Sequence, residues 1–323
     1  MLGKRIESPA DGAPATAGTA SHANTAGRVL GALDGIILGK GREMRLALAC
    51  LLARGHLLIE DVPGVGKTTL AHALARVLGL RFQRVQFTSD LLPADILGVS
   101  VYRPERGGFE FQPGPVFSQL VLADEINRAT PKTQSALLEA MEEQQVTADG
   151  VTHPLPTPFF VVATRNPSEQ AGTFALPESQ LDRFLMQIRL GYPDASQERA
   201  LLTGADRRSL VAAQPAIIDA DTLLAMQAAV PRVHVSDALL DYLQALLAYS
   251  RESREFVAGL SPRGGLALLR AAQAWALLHG HPGVHPDDLQ AVLPAVVSHR
   301  LAARGASASR DSGTALLEAV PVP

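Results

Sequence analysis

A chain of 323 residues is long enough for about two domains and a sizeable core. Its 47% hydrophobic and 19% charged residues are those of an ordinary globular protein, and a net charge of −3 gives no bulk attraction to nucleic acid or anionic membrane. The single cysteine, Cys50, excludes an intrachain disulfide. No apolar run approaches the ~18 residues of a membrane span, and Lys4 and Arg5 are not followed by the apolar stretch of a secretory signal. The expectation is a cytoplasmic protein.

Residues 1–27 are rich in Ala, Thr, Gly, Ser and Pro, and read as a flexible tail with too little apolar surface to offset the entropy of ordering. From 28 to 52 apolar residues recur at helical spacing, broken at Gly35 and Gly39; Cys50 lies in an apolar run here and reads as a small core residue. Five short strand candidates follow at 56–60, 82–88, 119–124, 158–164 and 184–190. Helical stretches, notably 67–78 and 132–144, separate most of them. This alternation predicts an α/β fold: a parallel sheet covered on both faces, with a ligand at the carboxyl ends of its strands.

The first strand runs into Asp61-Val62-Pro63-Gly64-Val65-Gly66-Lys67-Thr68-Thr69, and a helix-forming segment follows. Strand, glycine-rich turn and helix make a phosphate loop. Gly64 and Gly66 let backbone N–H groups approach phosphate oxygens, and the helix presents its positive end to them. Lys67 supplies a point charge for the β- and γ-phosphates and Thr68 a hydroxyl ligand for magnesium. The loop departs from the usual pattern at its first position, where Asp61 replaces glycine; Asp tolerates unusual dihedrals better than most residues.

Two insertions interrupt the alternation. In residues 101–118 the turn Gly107-Gly108 precedes alternating Phe109-Glu110-Phe111, and in residues 145–155 Asp149-Gly150 separates Val146-Thr147 from Val151-Thr152. Both predict hairpins, serving either as contact surfaces or as plain structural elaboration.

The third strand ends in Asp124-Glu125. Two adjacent acids after an apolar run are costly unless they meet a cation or move protons. Asp124 suits magnesium held through water, and Glu125 suits polarising an attacking water. Asn166, before Pro167 at the end of the fourth strand, is placed to hydrogen-bond the γ-phosphate and that water, although Asn-Pro is also a common turn. Arg183, before the last strand, and Arg263, near a later helix start, are suited to charge on a transferring phosphoryl group, Arg183 across a subunit boundary and Arg263 from the other side of the same phosphate. Salt bridges are the alternative role for both.

After Gly191-Tyr192-Pro193 the pattern is helical to about residue 299. Leu239, Leu240, Leu243, Leu246 and Leu247 form one apolar face, Ser261-Pro262 opens a second helix containing Trp275 as a core residue, and Pro286-Asp287-Asp288 opens a third. His279, His281 and His285 lie between two of these helices without a clear fourth ligand, so a solvated loop is favoured over a metal site. The organisation expected is a tail at 1–27, an α/β domain at 28–193, a helical domain at 194–303 and a loose tail at 304–323.

The phosphate loop, the run Leu122-Ala123-Asp124-Glu125-Ile126-Asn127-Arg128-Ala129 and the segment 132–143 together resemble the MoxR-type AAA+ ATPases of the helix-2-insert clade. Gly114-Pro115-Val116-Phe117, Leu176-Pro177-Glu178, Leu181-Asp182-Arg183-Phe184 and Ser261-Pro262-Arg263 extend the match over about residues 28–302. The resemblance implies a P-loop sheet in strand order 5-1-4-3-2, a helical lid, Mg·ATP as cofactor, and a homo-oligomeric ring, usually hexameric, with nucleotide between subunits. In that frame Arg183 resembles a finger acting on a neighbour's nucleotide, Arg263 the lid's sensor arginine, Asn166 the strand's polar sensor, and Ile37 and Gly39 belong to the stretch lining the adenine pocket. Residues 101–118 correspond to the helix-2 insert and 145–155 to the hairpin before the sensor. Arg165, where glutamine is usual, places extra positive charge beside Asn166.

The family implies chaperone-like remodelling or maturation of a client protein, often with a partner carrying a von Willebrand factor A domain. A nucleic-acid motor of the same clade is the first alternative, opposed by the net charge and by Arg103 and Arg106 being offset by Glu105 and Glu110. An ATP-switched binding module with little turnover is the second, opposed by the intact Glu125.

Overall fold

The computed structural model describes residues 14–167, 172–304 and 311–322. The chain runs α1 (Pro14–Asp34), α2 (Gly41–Leu52), β1 (Leu57–Glu60), α3 (Lys67–Val77), β2 (Phe82–Gln86), α4 (Pro93–Leu97), β3 (Gly98–Arg103) and β4 (Gly108–Pro113). It continues through β5 (Leu120–Asp124), α5 (Pro131–Glu143), β6 (Gln145–Ala148), β7 (Val151–Pro154), β8 (Phe160–Arg165), α6 (Glu178–Leu181) and β9 (Met186–Ile188). Helices follow: α7 (Ala195–Thr203), α8 (Arg207–Ala213), α9 (Ala220–Ala229), α10 (Asp237–Glu252), α11 (Pro262–His279), α12 (Pro286–Val297) and α13 (Ser312–Ala319).

Side chains that alternate along a strand explain the layers. Leu57 and Ile59, Leu120 and Leu122, and Phe160 and Val162 enter one hydrophobic cluster; Leu58, Val121, Ala123, Val161 and Ala163 enter another on the opposite face. A strand apolar on both faces must be covered on both, which is the parallel-sheet arrangement. The sheet has five parallel strands in the order β2-β5-β8-β1-β9, the 5-1-4-3-2 order of the P-loop core. Ile96 of α4 and Leu137, Leu138 and Met141 of α5 cover one face, while α2 and α3 cover the other.

The cluster of Leu57 and Ile59, on the face covered by α2 and α3, does not stop at the α/β unit. It runs on through Leu223, Leu243, Leu246, Leu268, Leu277, Leu289 and Val296 of the helical unit, and α11 packs against both α2 and α1. Helix ends are set by local side chains: Ser236 Oγ accepts from Leu239 N–H at 3.3 Å, and Ser261 Oγ from Gly264 N–H at 3.0 Å with Pro262 next in line. Trp275 is half-buried against the cluster rather than within it.

The two tails differ from the composition-based expectation. Residues 14–27 are helical, part of α1, whose Ala26, Val29 and Leu33 are buried against α2, α3 and α11. Alanine is the strongest helix former, and small residues allow close approach, so the scarcity of large apolar side chains did not measure what this segment buries. At the other end, α13 is capped by Asp311, which accepts from Thr314 N–H at 2.9 Å, and buries Leu316. Residues 1–13 and 305–310 lie outside the described residues.

Both insertions form hairpins, β3–β4 and β6–β7. Asp149 and Gly150 have φ of 50° and 78°, the paired left-handed values of a two-residue turn that matches strand twist. The hairpins meet where Phe111 stacks on His153 at 4.0 Å. Phe109 is 76% exposed and Tyr102 52% exposed at the outer end of β3–β4.

Candidate functional site

The phosphate loop lies between β1 and α3. Gly64 and Gly66 have φ of 85° and 96°, values costly for any residue with a Cβ, and no atom lies within 4 Å of where a Cβ would stand on either. The backbone therefore faces open space. Gly66 is the N-cap of α3 and supplies no side-chain acceptor for the amides of the helix's first turn. This is a cradle for an oxyanion. Lys67 Nζ reaches back to the carbonyls of Asp61 and, at 3.2 Å, of Val62. Pro63 and Val65 complete the loop, with Val65 packed on the hydrophobic cluster.

Asp61 does more than tolerate the glycine position. Its buried carboxylate accepts Val62 N–H at 2.8 Å, Leu190 N–H at 2.7 Å and Gly191 N–H at 2.6 Å, tying the loop to the turn after β9. The same turn holds the segment containing Ile37 and Gly39. Lys40 Nζ donates to Tyr192 O at 3.0 Å, and Gly39 (φ 69°) lies where a Cβ would collide with Gln197. Phosphate loop, residues 37–40 and the β9 exit thus meet at one junction.

Across the sheet, β5 delivers Asp124 and Glu125. Arg84 of β2 forks onto Asp124 Oδ2 at 2.7 and 3.1 Å, and Thr164 Oγ1 donates to Asp124 Oδ1 at 2.6 Å. Thr164 in turn accepts Glu125 N–H at 2.8 Å, which fixes Glu125 in the left-handed region at φ 57°. Strain of that kind costs about 1–3 kcal/mol. The Glu125 carboxylate accepts from Gln86 Nε2 at 2.9 Å and pairs with Arg128 at 3.1 Å. Asn166 is buried at the exit of β8, the strand between β1 and β5, so it emerges between the loop and the two acids.

Arg165 is accounted for by its partner. Its guanidinium pairs at 3.0 Å with Glu60, the residue in register with it on β1, and Gln187 and Arg189 contact the same carboxylate. The extra positive charge beside Asn166 is therefore met by a buried acid.

Arg183 and Arg263 stand elsewhere, and together. Arg183 pairs with Glu142 Oε2 and Arg263 with Glu142 Oε1, both at 3.0 Å. His56, just before β1, joins this region: its Nε2 lies 3.3 Å from Met141 O, and its carbonyl accepts Leu185 N–H at 2.8 Å. The two arginines are thus at the amino ends of the strands, whereas Lys67, Asp124, Glu125 and Asn166 are at the carboxyl ends, a strand length of roughly 13 Å away. One carboxylate gathers both, so the two arginines stand side by side here.

A protein-family profile described as the ATPase family associated with various cellular activities (AAA) matches residues 56–186, and an AAA lid domain profile matches residues 248–320. YeaC of Bacillus subtilis is 46% identical over 275 residues, covering 85% of this chain and 86% of that protein. Chaperone MoxR1 of Mycobacterium tuberculosis is 41% identical over 310 residues, 93% of this chain and 82% of its own. Protein MoxR of Paracoccus denitrificans is 37% identical over 294 residues, 84% and 86% of the two chains. The chain belongs to the MoxR-type AAA+ ATPases. A crystal structure of a candidate ATPase from Cytophaga hutchinsonii matches this MoxR-type fold with a TM-score of 0.85 at 33% identity, covering 94% of this chain and 97% of its own.

Several contacts of this MoxR-type site were not assigned from the sequence. Arg84, Gln86 and Thr164 act on Asp124 and Glu125 only because β2 and β8 flank β5, with Gln86 in register with Asp124, whereas Arg128 reaches Glu125 locally, three residues on. One trace was available: Arg84 and Gln86 alternate on a single face of β2. Asp182, Glu142 and Arg300 likewise meet from distant parts of the chain, with Arg300 Nε 2.6 Å from Asp182 Oδ1. The histidines of the α11–α12 connection do approach one another: His281 Nδ1 lies 3.0 Å from Asp288, which also accepts His285 N–H at 2.8 Å. Helix capping accounts for that carboxylate. Among the described residues, no helix is long and apolar enough to cross a membrane.

Proposed function

We propose that this chain hydrolyses Mg·ATP at the boundaries between subunits of a homo-oligomeric ring, a hexamer by family resemblance, and uses the cycle to remodel or mature a protein partner. The observation that carries this reading is the separation of Arg183 and Arg263 from Lys67. Arginines suited to a transferring phosphoryl group sit a strand length from the chain's own loop, so the phosphate they serve belongs to a neighbour.

The residues fit a magnesium nucleotide. The open left-handed glycines and bare helix start supply donors for phosphate oxygens, Lys67 a mobile cation, Thr68 and Asp124 oxygen ligands for magnesium, and Ile37 and Gly39 a wall for the base. The bound nucleotide supplies the anhydride bond to be broken, and magnesium the charge that offsets its phosphates. Glu125 accepts a proton from, or orients, a water in line with the γ-phosphate, and Asn166 holds that water and the phosphate in register. Asp124 and Glu125 would have to give up part of their contacts with Arg84 and Gln86 to take magnesium and water.

Remodelling of a protein is favoured over a nucleic-acid motor by the inserted hairpin. Arg103 and Arg106 are both paired with Glu110, at 3.7 and 3.1 Å, while Phe109 and Tyr102 are exposed beside them. That surface suits apolar polypeptide better than phosphate. A cytoplasmic setting and a partner with a von Willebrand factor A domain accompany this reading by family resemblance.

Mixing Arg183→Ala with Glu125→Gln tests it. Each variant alone is expected to be inactive. Mixed rings contain some interfaces with Glu125 from one subunit and Arg183 from the next, and should recover part of the ATPase activity. No recovery in co-assembled mixtures would remove the shared site.

A further inference from the structure

Glu142 occupies the last turn of α5, and its two oxygens each take one guanidinium, Arg183 on Oε2 and Arg263 on Oε1. Asp182 completes the group, with Arg300 at 2.6 Å and Arg263 at 4.0 Å. Three guanidiniums share two carboxylates, so the cluster keeps a net positive charge. That excess faces outward: Arg300 is 5% exposed, whereas Arg183 is 29% and Arg263 50% exposed.

The location of Arg263 sharpens the point. It is the second residue of α11, at the positive end of that helix, where a cation is disfavoured by ~0.3–1 kcal/mol. Local helix stability therefore does not explain an arginine there. Glu142 does: it offsets the repulsion between Arg263 and Arg183, and lies at the negative end of its own helix, which favours both cations. Each guanidinium gives Glu142 a single nitrogen at hydrogen-bond distance and has further N–H donors for a second acceptor.

We infer that Glu142 is the positioning residue that assembles Arg183 and Arg263 into one two-arginine unit and presents both to a single phosphate group of the neighbouring subunit's nucleotide. The inference rests on the proposal that Arg183 acts across the boundary. Glu142 touches no nucleotide itself. Its work is to hold two like charges side by side, so that their order is established before the transition state forms.

The test is complementation in mixed rings. Glu142→Gln keeps the size and removes the charge. Alone it should lower kcat on the order of tenfold to a hundredfold, the scale for misplaced catalytic groups, with ATP affinity within about twofold of wild type. Mixed with Glu125→Gln it should recover activity, since its own Glu125 is intact and the other subunit supplies an ordered arginine pair. Mixed with Arg183→Ala it should recover none, because both lesions lie on the arginine side. Recovery with Glu125→Gln also proves that Glu142→Gln is folded; if that variant fails to co-assemble, Glu142→Asp replaces it in the same mixtures. A wild-type kcat for Glu142→Gln would overturn the inference. So would failure to complement Glu125→Gln where Arg183→Ala does complement it. If Arg183→Ala itself fails, the shared site is what has been disproved, and the Glu142 inference falls with it.

Discussion

The carboxylate of Asp61 accepts the backbone N–H of Gly191 at 2.6 Å, joining the phosphate loop to the turn that leaves β9. Because Leu190 N–H and Val62 N–H share that carboxylate, restoring the usual glycine should harm this chain. Charged hydrogen bonds are each worth about 1.5–3 kcal/mol, so Asp61→Gly should cost ~2 kcal/mol or more, read from denaturant unfolding. ATP affinity, read by titration, should fall at least about tenfold as the loop loses its anchor. Unchanged affinity would make the anchor irrelevant to binding.

Lys67→Ala should abolish nucleotide binding and leave the fold intact, since Lys67 Nζ donates to the loop carbonyls of Asp61 and Val62. Circular dichroism and fluorescent-ATP titration check the two halves. Tight ATP binding by the folded variant would refute the phosphate-loop assignment.

Glu125→Gln should bind ATP yet turn over about a hundredfold more slowly or worse, as when a positioned base is lost. The amide still accepts from Gln86 and Arg128, so stability should change little. Single-turnover hydrolysis separates binding from chemistry. Near-wild-type turnover would place water activation elsewhere.

Arg84 pairs with Asp124 at 2.7 Å, so under the proposed function it would compete with magnesium for that carboxylate. Removing it in Arg84→Gln should lower the magnesium concentration for half-maximal ATPase about fivefold, the equivalent of a ~1 kcal/mol partly exposed ion pair. A higher magnesium requirement would instead mean that Arg84 holds Asp124 in its working orientation.

His56 couples stability to pH. Burial pushes its pKa down to about 4, and its ring is held between Val161 N–H and Met141 O. The unfolded chain takes up this proton near pH 6.5, the folded chain only near 4, so the contribution is complete above 6.5 and is lost as pH falls toward 4. At pH 5 the loss should be about 2 kcal/mol. His56→Asn should be less stable at pH 7 but show a shallower decline in unfolding midpoint between pH 6.5 and 5. Parallel declines would clear His56 of the effect.

Local signals in the sequence carried much of this site. An apolar run, two glycines and Lys67-Thr68 are adjacent in the chain, and so are Asp124 and Glu125, so their spacing alone revealed strand exits. The sheet order did not come from periodicity, which gives strands but not neighbours; it came from family resemblance. What stayed hidden was every contact set by neighbour choice: Arg84 on Asp124, Glu60 on Arg165, and Glu142 on Arg183 and Arg263, the last spanning 121 residues. The part of α1 at 14–27 was missed for a different reason, because alanine-rich composition describes both a loose tail and a closely packed helix.

The hydrophobic cluster that runs unbroken from β1 into α10, α11 and α12 makes the subunit one stiff block rather than a jaw with a hinge. A cut after residue 193 would bare the lining of a single core on both fragments, so neither should stay in solution alone. Strain from hydrolysis has little room to be absorbed between sheet and helices. In the ring proposed above it would be delivered to the seams between blocks, where a neighbour's arginines would meet the nucleotide, and the ring would flex there as a chain flexes between its links.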